Sequence, residues 1–224
     1  TMNLDWLSEI RAVLLDMDGL LLDSERVAFE IGREASIALG TPWSEEVALG
    51  MIGLNSRDGY RLLRESFGPA FPVEAHQEEF GRRYEAAIAA GRIPLKAGVE
   101  ALFDALEVRG LPRVVATSTR RSRALAKLAG VGLLPRLSGV VGGDEVTQGK
   151  PAPDIYFAAA ALAGVLPGEC LVLEDSNTGV RGGLAAGARV IMVPDMVPPA
   201  DDIQAAGVPC LDSLHPIALG LARL

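Results

Sequence analysis

Five short apolar runs divide the chain, and each is followed by a segment with the apolar spacing of a helix. The runs are continuous rather than alternating, which is typical of strands buried on both faces of a parallel sheet. Strand and helix alternate through the C-terminal part of the chain, and this order predicts a doubly wound α/β fold. The predicted strands cover residues 12–16, 113–117, 139–143, 170–175 and 189–193.

One segment interrupts the alternation of strand and helix. Between about Ser24 and Arg92 the pattern predicts only helices, and each ends near a glycine. We therefore predict an α/β core formed by residues 1–23 and 93–224, with a small helical cap, residues 24–92, inserted after the first strand. The predicted cap helices run from a Ser24 cap to Gly40, from a Ser56 cap to Gly68, and from about Val73 to Gly91.

Composition narrows the partners that we expect. The chain has 224 residues, 49% of them hydrophobic, and a formal net charge of −8, which disfavours nucleic acid or an anionic membrane as a partner. The most apolar run, residues 156–166, is shorter than the ~20 residues that span a bilayer. The two cysteines, Cys170 and Cys210, match no metal or disulfide pattern. We expect a cytoplasmic monomer that acts on a small molecule.

An acid pair closes the first predicted strand. Asp16 and Asp18 lie two residues apart in "LLDMDGLLLDSE", residues 14–25, and Gly19 follows them. On an extended chain their side chains point to the same side, and their Cα atoms are about 6.6 Å apart. Two such charges repel by about 2.5 kcal/mol at an effective dielectric constant near 20. The pattern therefore requires either a nearby cation or a proton held by one of the two acids.

Two further strand ends carry groups that bind anions. Thr117 and Ser118 come between a predicted strand and a helix, where hydroxyl and backbone N–H groups can hold an anion. Lys150 stands in "QGKPAPD", residues 148–154, and the prolines fix the direction of the chain there. Each signal alone is weak, but all of these groups follow strand ends, where parallel sheets bind their ligands.

A second acid pair, Glu174 and Asp175, closes the fourth predicted strand. Carboxylate oxygens from two strand ends provide the hard ligands that Mg²⁺ prefers, together with water and a substrate phosphate. We therefore predict that a Mg²⁺ ion, shared between Asp16 and Asp175, compensates the negative charge of the acids.

The ordered set of motifs resembles the haloacid dehalogenase superfamily of phosphohydrolases. "DMDGLLLDSE" is similar to the first motif of that family, "TST" to the second, "GKPAPD" to the third and "LEDSNTG" to the fourth. The resemblance covers nearly the whole chain, and the helical insertion stands where the family has its small cap. It is nearest to the branch that holds β-phosphoglucomutase, sugar-phosphate phosphatases and pseudouridine-monophosphate phosphatases.

The resemblance implies a Mg²⁺-dependent phosphatase with an aspartyl-phosphate intermediate. Asp16 would be the nucleophile, and Asp18 would protonate the leaving group and later accept a proton from water. Thr117 and the Ser118 amide would hold phosphoryl oxygens, and Lys150 would neutralise both the phosphate and the nucleophile. The substrate would be a sugar or nucleoside phosphate.

The resemblance also implies the ligands of the metal. Asp16, the Asp18 carbonyl and Asp175 would bind Mg²⁺, and Glu174 would be either a ligand or a residue that orients the others. In the cap, residues 51–59 are interpreted as a glycine-containing turn, and Arg57 as the cap residue that meets a substrate hydroxyl or a distal phosphate.

Alternative functions remain open from the sequence. A metal-free dehalogenase has no need of Asp18. A phosphomutase of the β-phosphoglucomutase type would carry a histidine and a lysine where this chain has Ala28 and Ile52. A signalling domain that accepts a phosphoryl group would place its acids in a different order, and a binding protein without catalytic activity is a further alternative.

Overall fold

The structure is a computed structural model that describes residues 5–52 and 56–224; the side chains of residues 5, 56 and 57 lie outside this description. It divides into two compact units. The sheet unit consists of the described residues up to Leu22 together with Leu95–Leu224, and the helical unit is Asp23–Pro94. None of the described helices is long and apolar enough to cross a membrane.

The sheet unit contains five parallel strands in the order β3-β2-β1-β4-β5. Every residue of β1 and β4 is buried, so both faces of the sheet are covered at its centre. The predicted doubly wound fold is confirmed, although each strand ends one or two residues earlier than predicted. The strands are β1 (Ala12–Leu15), β2 (Arg113–Ala116), β3 (Gly139–Val141), β4 (Cys170–Glu174) and β5 (Arg189–Met192).

The helical unit contains four helices among its described residues, and helix α1 packs against α4. A small apolar cluster of Leu63, Phe71 and Val73 joins the later helices. Gly40 ends α1 with a φ of 64°, at the position predicted for it. The helices are α1 (Ser24–Leu39), α2 (Glu45–Gly50), α3 (Ser56–Phe67) and α4 (Val73–Ala89).

Three predictions for the helical unit are wrong. Ser56 was predicted as the cap of a helix but is the first residue of α3. Ser24 is not the N-cap of α1; Asp23 occupies that position, and Ser24 is a buried residue of the first turn. The turn predicted over residues 51–59 ends earlier, because residues 56–59 form the first turn of α3. Residues 53–55 of that segment lie outside the described residues.

The helices of the sheet unit pack on the strands and on one another. Helix α7 packs against β1, β2 and β3, and its Tyr156 is completely buried in the main apolar cluster beside Leu14 and Val172. Helix α8 packs against β4 and β5. The helices are α5 (Val99–Val108), α6 (Arg121–Gly130), α7 (Asp154–Ala163), α8 (Asn177–Ala185), α9 (Asp201–Ala205) and α10 (His215–Ala222).

Candidate active site

Most of the predicted site residues follow the ends of three neighbouring strands. Strand β1 lies between β2 and β4, with Leu15 level with both Val115 and Leu173. Asp16 comes next, and its backbone N–H donates to the Leu173 carbonyl at 3.0 Å. Because parallel strands end at one edge of a sheet, the polar residues after β1, β2 and β4 are brought to the same edge.

The turn after β1 depends on Gly19. Its φ is 90°, in the left-handed region that favours glycine. A Cβ atom at this position would lie 2.1 Å from Asp175 Oδ2. The Gly19 N–H donates to the Leu22 carbonyl at 2.8 Å, which closes the turn. Gly19 therefore allows the Asp175 carboxylate to approach the turn that carries Asp16 and Asp18.

Three carboxylates at this edge lie close enough together to share a cation. The ligand oxygens of Asp16, Glu174 and Asp175 are all within 4.8 Å of one another. All three residues are buried. Three negative charges at these distances would destabilise one another strongly in a buried site, so the arrangement requires positive charge or a proton on one of the acids.

Lys150 supplies part of that positive charge. Its side chain is only 4% exposed, and its Nζ donates to both Asp16 Oδ1 and Glu174 Oε1 at 2.5 Å. The ammonium also lies 5.4 Å from the centre of the Tyr156 ring. The lysine that the sequence placed in "GKPAPD" is thus in direct contact with the predicted nucleophile.

The shared ammonium acts differently on the two acids. Burial raises the pKa of Asp16 to about 8, and the charge of Lys150 only partly opposes this effect. Burial also acts to raise the pKa of Glu174, but the charge and hydrogen bond of Lys150 outweigh it and lower that pKa. Burial acts to lower the pKa of Lys150, but the charges of Asp16 and Glu174 raise it well above its usual value. Glu174 is therefore the ionised partner of Lys150.

Glu174 is held on both of its carboxylate oxygens. Besides Lys150, the Tyr156 hydroxyl donates to Oε1 at 2.7 Å. The backbone N–H groups of Asp175 and Ser176 donate to Oε2 at 3.1 Å, and the Ser176 hydroxyl donates to it at 3.0 Å. Of the two roles that the sequence left open, these contacts favour the one in which Glu174 orients its neighbours.

Tyr156 and Ser176 were missed in the sequence analysis. Tyr156 is the hydroxyl-bearing residue of the otherwise apolar segment "IYFAAAALA" in α7, and this contrast was an available signal. Ser176 is the N-cap of α8, where its hydroxyl also accepts from the Gly179 N–H at 3.1 Å.

The segment after β2 places Thr117 and Ser118 in different environments. Thr117 is buried, its backbone N–H donates to the Val141 carbonyl, and its hydroxyl oxygen accepts from the Thr119 N–H at 3.1 Å. Ser118 is exposed. Thr117 thus forms a fixed part of the turn, and Ser118 keeps its side chain accessible to a ligand.

Asp18 has two partners that the sequence analysis did not identify. The Thr119 hydroxyl donates to Asp18 Oδ2 at 2.6 Å, and Lys127 Nζ donates to Asp18 Oδ1 at 2.7 Å. Lys127 lies in α6, and with Ala124 and Leu128 it forms the buried face of that helix. A lysine at an apolar position of an amphipathic helix was a signal for a buried partner.

Asp16 and Asp175 have the chemistry and spacing to hold a Mg²⁺ ion. Both offer carboxylate oxygens, and two ligands of one Mg²⁺ lie at most about 4 Å apart. The carboxylate oxygens of Asp16 and Asp175 lie within 4.8 Å of each other. A small movement of the side chains would therefore bring both oxygens into contact with one ion. Glu174 is in the same cluster, but its oxygens are already engaged by five donors.

Arg57, the residue predicted to meet the substrate from the cap, is in the first turn of α3. Its side chain lies outside the described part of the chain, so its role stays a prediction.

The chain is similar to known hydrolases over most of its length. A family model described as haloacid dehalogenase-like hydrolase matches residues 10–187, a range that contains all four strand-end motifs. The protein CbbY of Rhodobacter capsulatus is 32% identical over 217 residues, covering 88% of this chain and 91% of the relative. A phosphorylated carbohydrates phosphatase of Thermotoga maritima is 30% identical over 185 residues, covering 81% and 84%.

A solved structure shows the same likeness in three dimensions. CbbY from Rhodobacter sphaeroides in complex with phosphate superposes with a TM-score of 0.78 at 28% identity, covering 95% of this chain and 99% of the other.

Proposed function

The chain belongs to the haloacid dehalogenase-like hydrolase family and is a phosphatase; we propose that it hydrolyses the phosphomonoester of a small sugar or nucleoside phosphate through an aspartyl phosphate, with Mg²⁺ as cofactor. The observation that carries the proposal is the buried contact between Asp16 and Lys150, at a sheet edge that also holds Asp175. A buried carboxylate paired with an ammonium can accept a phosphoryl group without building up negative charge.

In the first step, a carboxylate oxygen of Asp16 attacks phosphorus, and the bond between phosphorus and the leaving oxygen breaks. Asp18 gives its proton to that oxygen, so the leaving group departs as an alcohol. Lys150 keeps the Asp16 carboxylate in place and offsets the charge of the incoming phosphate. Thr117 and the Ser118 amide bind phosphoryl oxygens.

In the second step, a water molecule attacks the phosphorus of the aspartyl phosphate and gives a proton to Asp18. The bond between phosphorus and Asp16 breaks, and inorganic phosphate leaves. Both carboxyl groups then return to their starting states, so the cycle is balanced. Glu174 orients Lys150 throughout, because it stays ionised beside it.

A Mg²⁺ ion bound by Asp16, the Asp18 carbonyl and Asp175 would supply positive charge for the phosphate oxygens and favour the ionised form of Asp16. The raised pKa of metal-free Asp16 is consistent with a site that is completed by a cation. Without one, Asp16 and Glu174 share the ammonium of Lys150, and Asp175 adds a third carboxylate to the same buried cluster.

Hydrolysis is favoured over phosphomutase activity by two residues of the helical unit. Ala28 and Ile52 stand where a phosphomutase of the β-phosphoglucomutase type would carry a histidine and a lysine, and both line an apolar cavity of about 170 Å³ in that unit. Neither side chain can move a proton or bind a phosphate. We propose that the enzyme releases its phosphate to water rather than returning it to the substrate.

We also propose that the enzyme is a cytoplasmic monomer acting on a dissolved metabolite. The net charge of −8 supports a partner other than nucleic acid or an anionic membrane. The name of the Thermotoga maritima relative supports phosphorylated carbohydrates as the first substrates to test.

The test begins with phosphate release from a panel of sugar, nucleoside and polyol phosphates, with Mg²⁺ and with a chelator. The proposal predicts release that needs Mg²⁺ and that is lost in Asp16→Asn. Asp202→Asn changes an exposed acid of α9 in the same chemical way and should leave the rate unchanged. Release that is equally fast in the chelator would contradict a metal-dependent mechanism.

The roles of the two acids are separated by rapid-quench kinetics with p-nitrophenyl phosphate. Its leaving group needs no proton, so Asp18→Ala should still phosphorylate Asp16 and show a burst of about one equivalent per site, followed by slow turnover. Asp16→Ala should show no burst. Mass spectrometry of the quenched protein detects the phosphoenzyme. A phosphoenzyme in Asp16→Ala, or none in Asp18→Ala, would overturn the assignment.

A further inference from the structure

Lys127 is a buried lysine whose ammonium is directed to Asp18. Its side chain is 3% exposed, and its Nζ lies 2.7 Å from Asp18 Oδ1. The Thr119 hydroxyl donates to the other oxygen of the same carboxylate at 2.6 Å. Each oxygen of Asp18 thus has its own donor, one from α6 and one from the turn after β2.

Two donors on one carboxylate fix more than its position. An Asp side chain rotates about two bonds, and one hydrogen bond leaves the plane of the carboxylate free to turn. Donors on both oxygens, from two separate elements, restrict both rotations. Proton transfer to or from a bound group needs an oxygen held within hydrogen-bond reach, so restricting Asp18 matters for its proposed role.

The position of Lys127 argues against an ordinary structural ion pair. Helix α6 buries Ala124 and Leu128 on the same face, where an apolar side chain would be stabilising. Burying an ammonium on that face has a desolvation cost, which is offset only by a well-placed ionic partner. The two buried lysines also have different partners: Lys150 contacts Asp16 and Glu174, whereas Lys127 contacts Asp18.

We propose that Lys127 is a positioning residue which, together with Thr119, holds the Asp18 carboxylate in the orientation needed for proton transfer in both steps. The proposal rests on the proposed function, because it assumes that Asp18 is the acid and base of a phosphatase. Lys127 acts through Asp18, whose Oδ1 its Nζ contacts.

The test compares Lys127→Met with Asp18→Ala in rapid-quench kinetics on p-nitrophenyl phosphate. Lys127→Met should still phosphorylate Asp16 at nearly the wild-type rate. Hydrolysis of its phosphoenzyme should be about 10- to 100-fold slower, a part of the 10²–10⁴ that positioned acid–base groups contribute. With an alkyl phosphate, whose leaving group needs a proton, the first step should slow by a similar factor.

Two variants separate positioning from a loss of stability. Arg113→Met removes a cation whose side chain is 14% exposed, at the amino end of β2 and away from the acids, and should leave both steps unchanged. Thr119→Val removes the second donor with little change of volume and should slow the same two steps, whereas Thr119→Ser keeps the hydroxyl and should restore them. Thr119→Val tests the proposal even if Lys127→Met fails to fold.

The outcomes distinguish this inference from the proposed function. If the wild-type enzyme releases phosphate without forming a phosphoenzyme, the proposed function itself is wrong. If Asp18→Ala accumulates phosphoenzyme while Lys127→Met and Thr119→Val hydrolyse theirs at the wild-type rate, only the positioning role is overturned. A slowing in Arg113→Met equal to that in Lys127→Met would overturn it as well, since a general effect on the fold would then account for both.

Discussion

Replacing Lys150 by methionine tests how far the buried acids depend on one ammonium. Methionine keeps most of the volume of the side chain, but it removes the charge and the hydrogen bonds to Asp16 Oδ1 and Glu174 Oε1, both 2.5 Å long. Removing one partner of a buried ion pair costs about 3–5 kcal/mol, because the other charge stays buried. We expect Lys150→Met to lower the free energy of unfolding of the metal-free protein.

The loss should lie at the lower end of that range near neutral pH. Burial already raises the pKa of Asp16 to about 8 with Lys150 present, so without Lys150 this carboxyl stays protonated at pH 7. Glu174 also keeps its bonds from Tyr156 and from Ser176. We expect a loss of about 3 kcal/mol, which is a decrease in Tm of about 6–12 °C for a domain of this size.

The loss should grow as the pH rises above 8. In the unfolded chain Asp16 has its usual pKa of 3.8, so the folded variant holds a proton that the unfolded chain has released. Stability therefore falls as pH rises, by up to about 1.4 kcal/mol per unit, until the folded group also ionises. In the wild type the decrease in stability ends near pH 8, where folded Asp16 ionises. In Lys150→Met the pKa of Asp16 is higher, because the ammonium that lowers it is gone, so the decrease continues above pH 8.

The measurement is urea unfolding followed by far-UV circular dichroism at pH 7 and pH 9, with a chelator so that no cation replaces the ammonium. Arg181→Met is a control for an exposed ion pair, since Arg181 and Asp202 are 39% and 56% exposed, and should lower the stability much less. A loss below about 1 kcal/mol in Lys150→Met, or equal losses at the two pH values, would refute the reasoning.

Two further predictions concern Gly19 and His76. Gly19→Ala places a Cβ where Asp175 Oδ2 lies, so Mg²⁺ affinity measured by calorimetry should fall, whereas Gly40→Ala, with a φ of 64° and open space around it, should leave it unchanged. Equal affinities would contradict the close approach of Asp175. Burial lowers the pKa of His76, although the Gly32 carbonyl acts to raise it, so stability should fall as pH drops below 6.5, by up to about 1.4 kcal/mol per unit. Urea titrations between pH 5 and 7 should show a flatter dependence in His76→Gln; an unchanged slope would exclude His76 as the cause.

The parallel sheet could be predicted because its strands are buried on both faces. A run such as "AVLL" or "CLVLE" has no alternation, and in a chain with helices between the runs this pattern strongly favours a parallel sheet. The order β3-β2-β1-β4-β5 was not predicted. All five strands are mostly apolar, and the pattern within a strand does not indicate which neighbours it takes.

The acids could be found from the sequence because each follows a strand end, and the sheet brings such ends together. Lys150 lies nine residues beyond the end of β3, and the prolines of "QGKPAPD" were the signal for it. The partners of Asp18 could not be found in this way. Lys127 is ten residues beyond Thr117, inside a helix, and its contact depends on how α6 is rotated against the sheet. The contact between Tyr156 and Glu174 likewise depends on how α7 is rotated against the sheet.

The errors in the helical unit have a local cause. Ser24 and Asp23 are both good N-cap residues, and the choice between them depends on the backbone entering the helix rather than on residue type. In residues 51–59, glycine and asparagine favour a turn, yet Asp58 in the first turn of α3 is favourable for the helix dipole, and the helix begins at Ser56.

The arrangement of the two lysines matches the two chemical tasks of the acids. Lys150 contacts Asp16, the proposed nucleophile, and Lys127 contacts Asp18, the proposed acid and base. If a single ammonium served both, a change in the charge of one carboxylate would alter the other through their common partner. With separate partners, Asp18 can gain and lose a proton while Lys150 stays with Asp16. The two acids that follow β1 therefore need two cations, and Lys127 of α6 is the second.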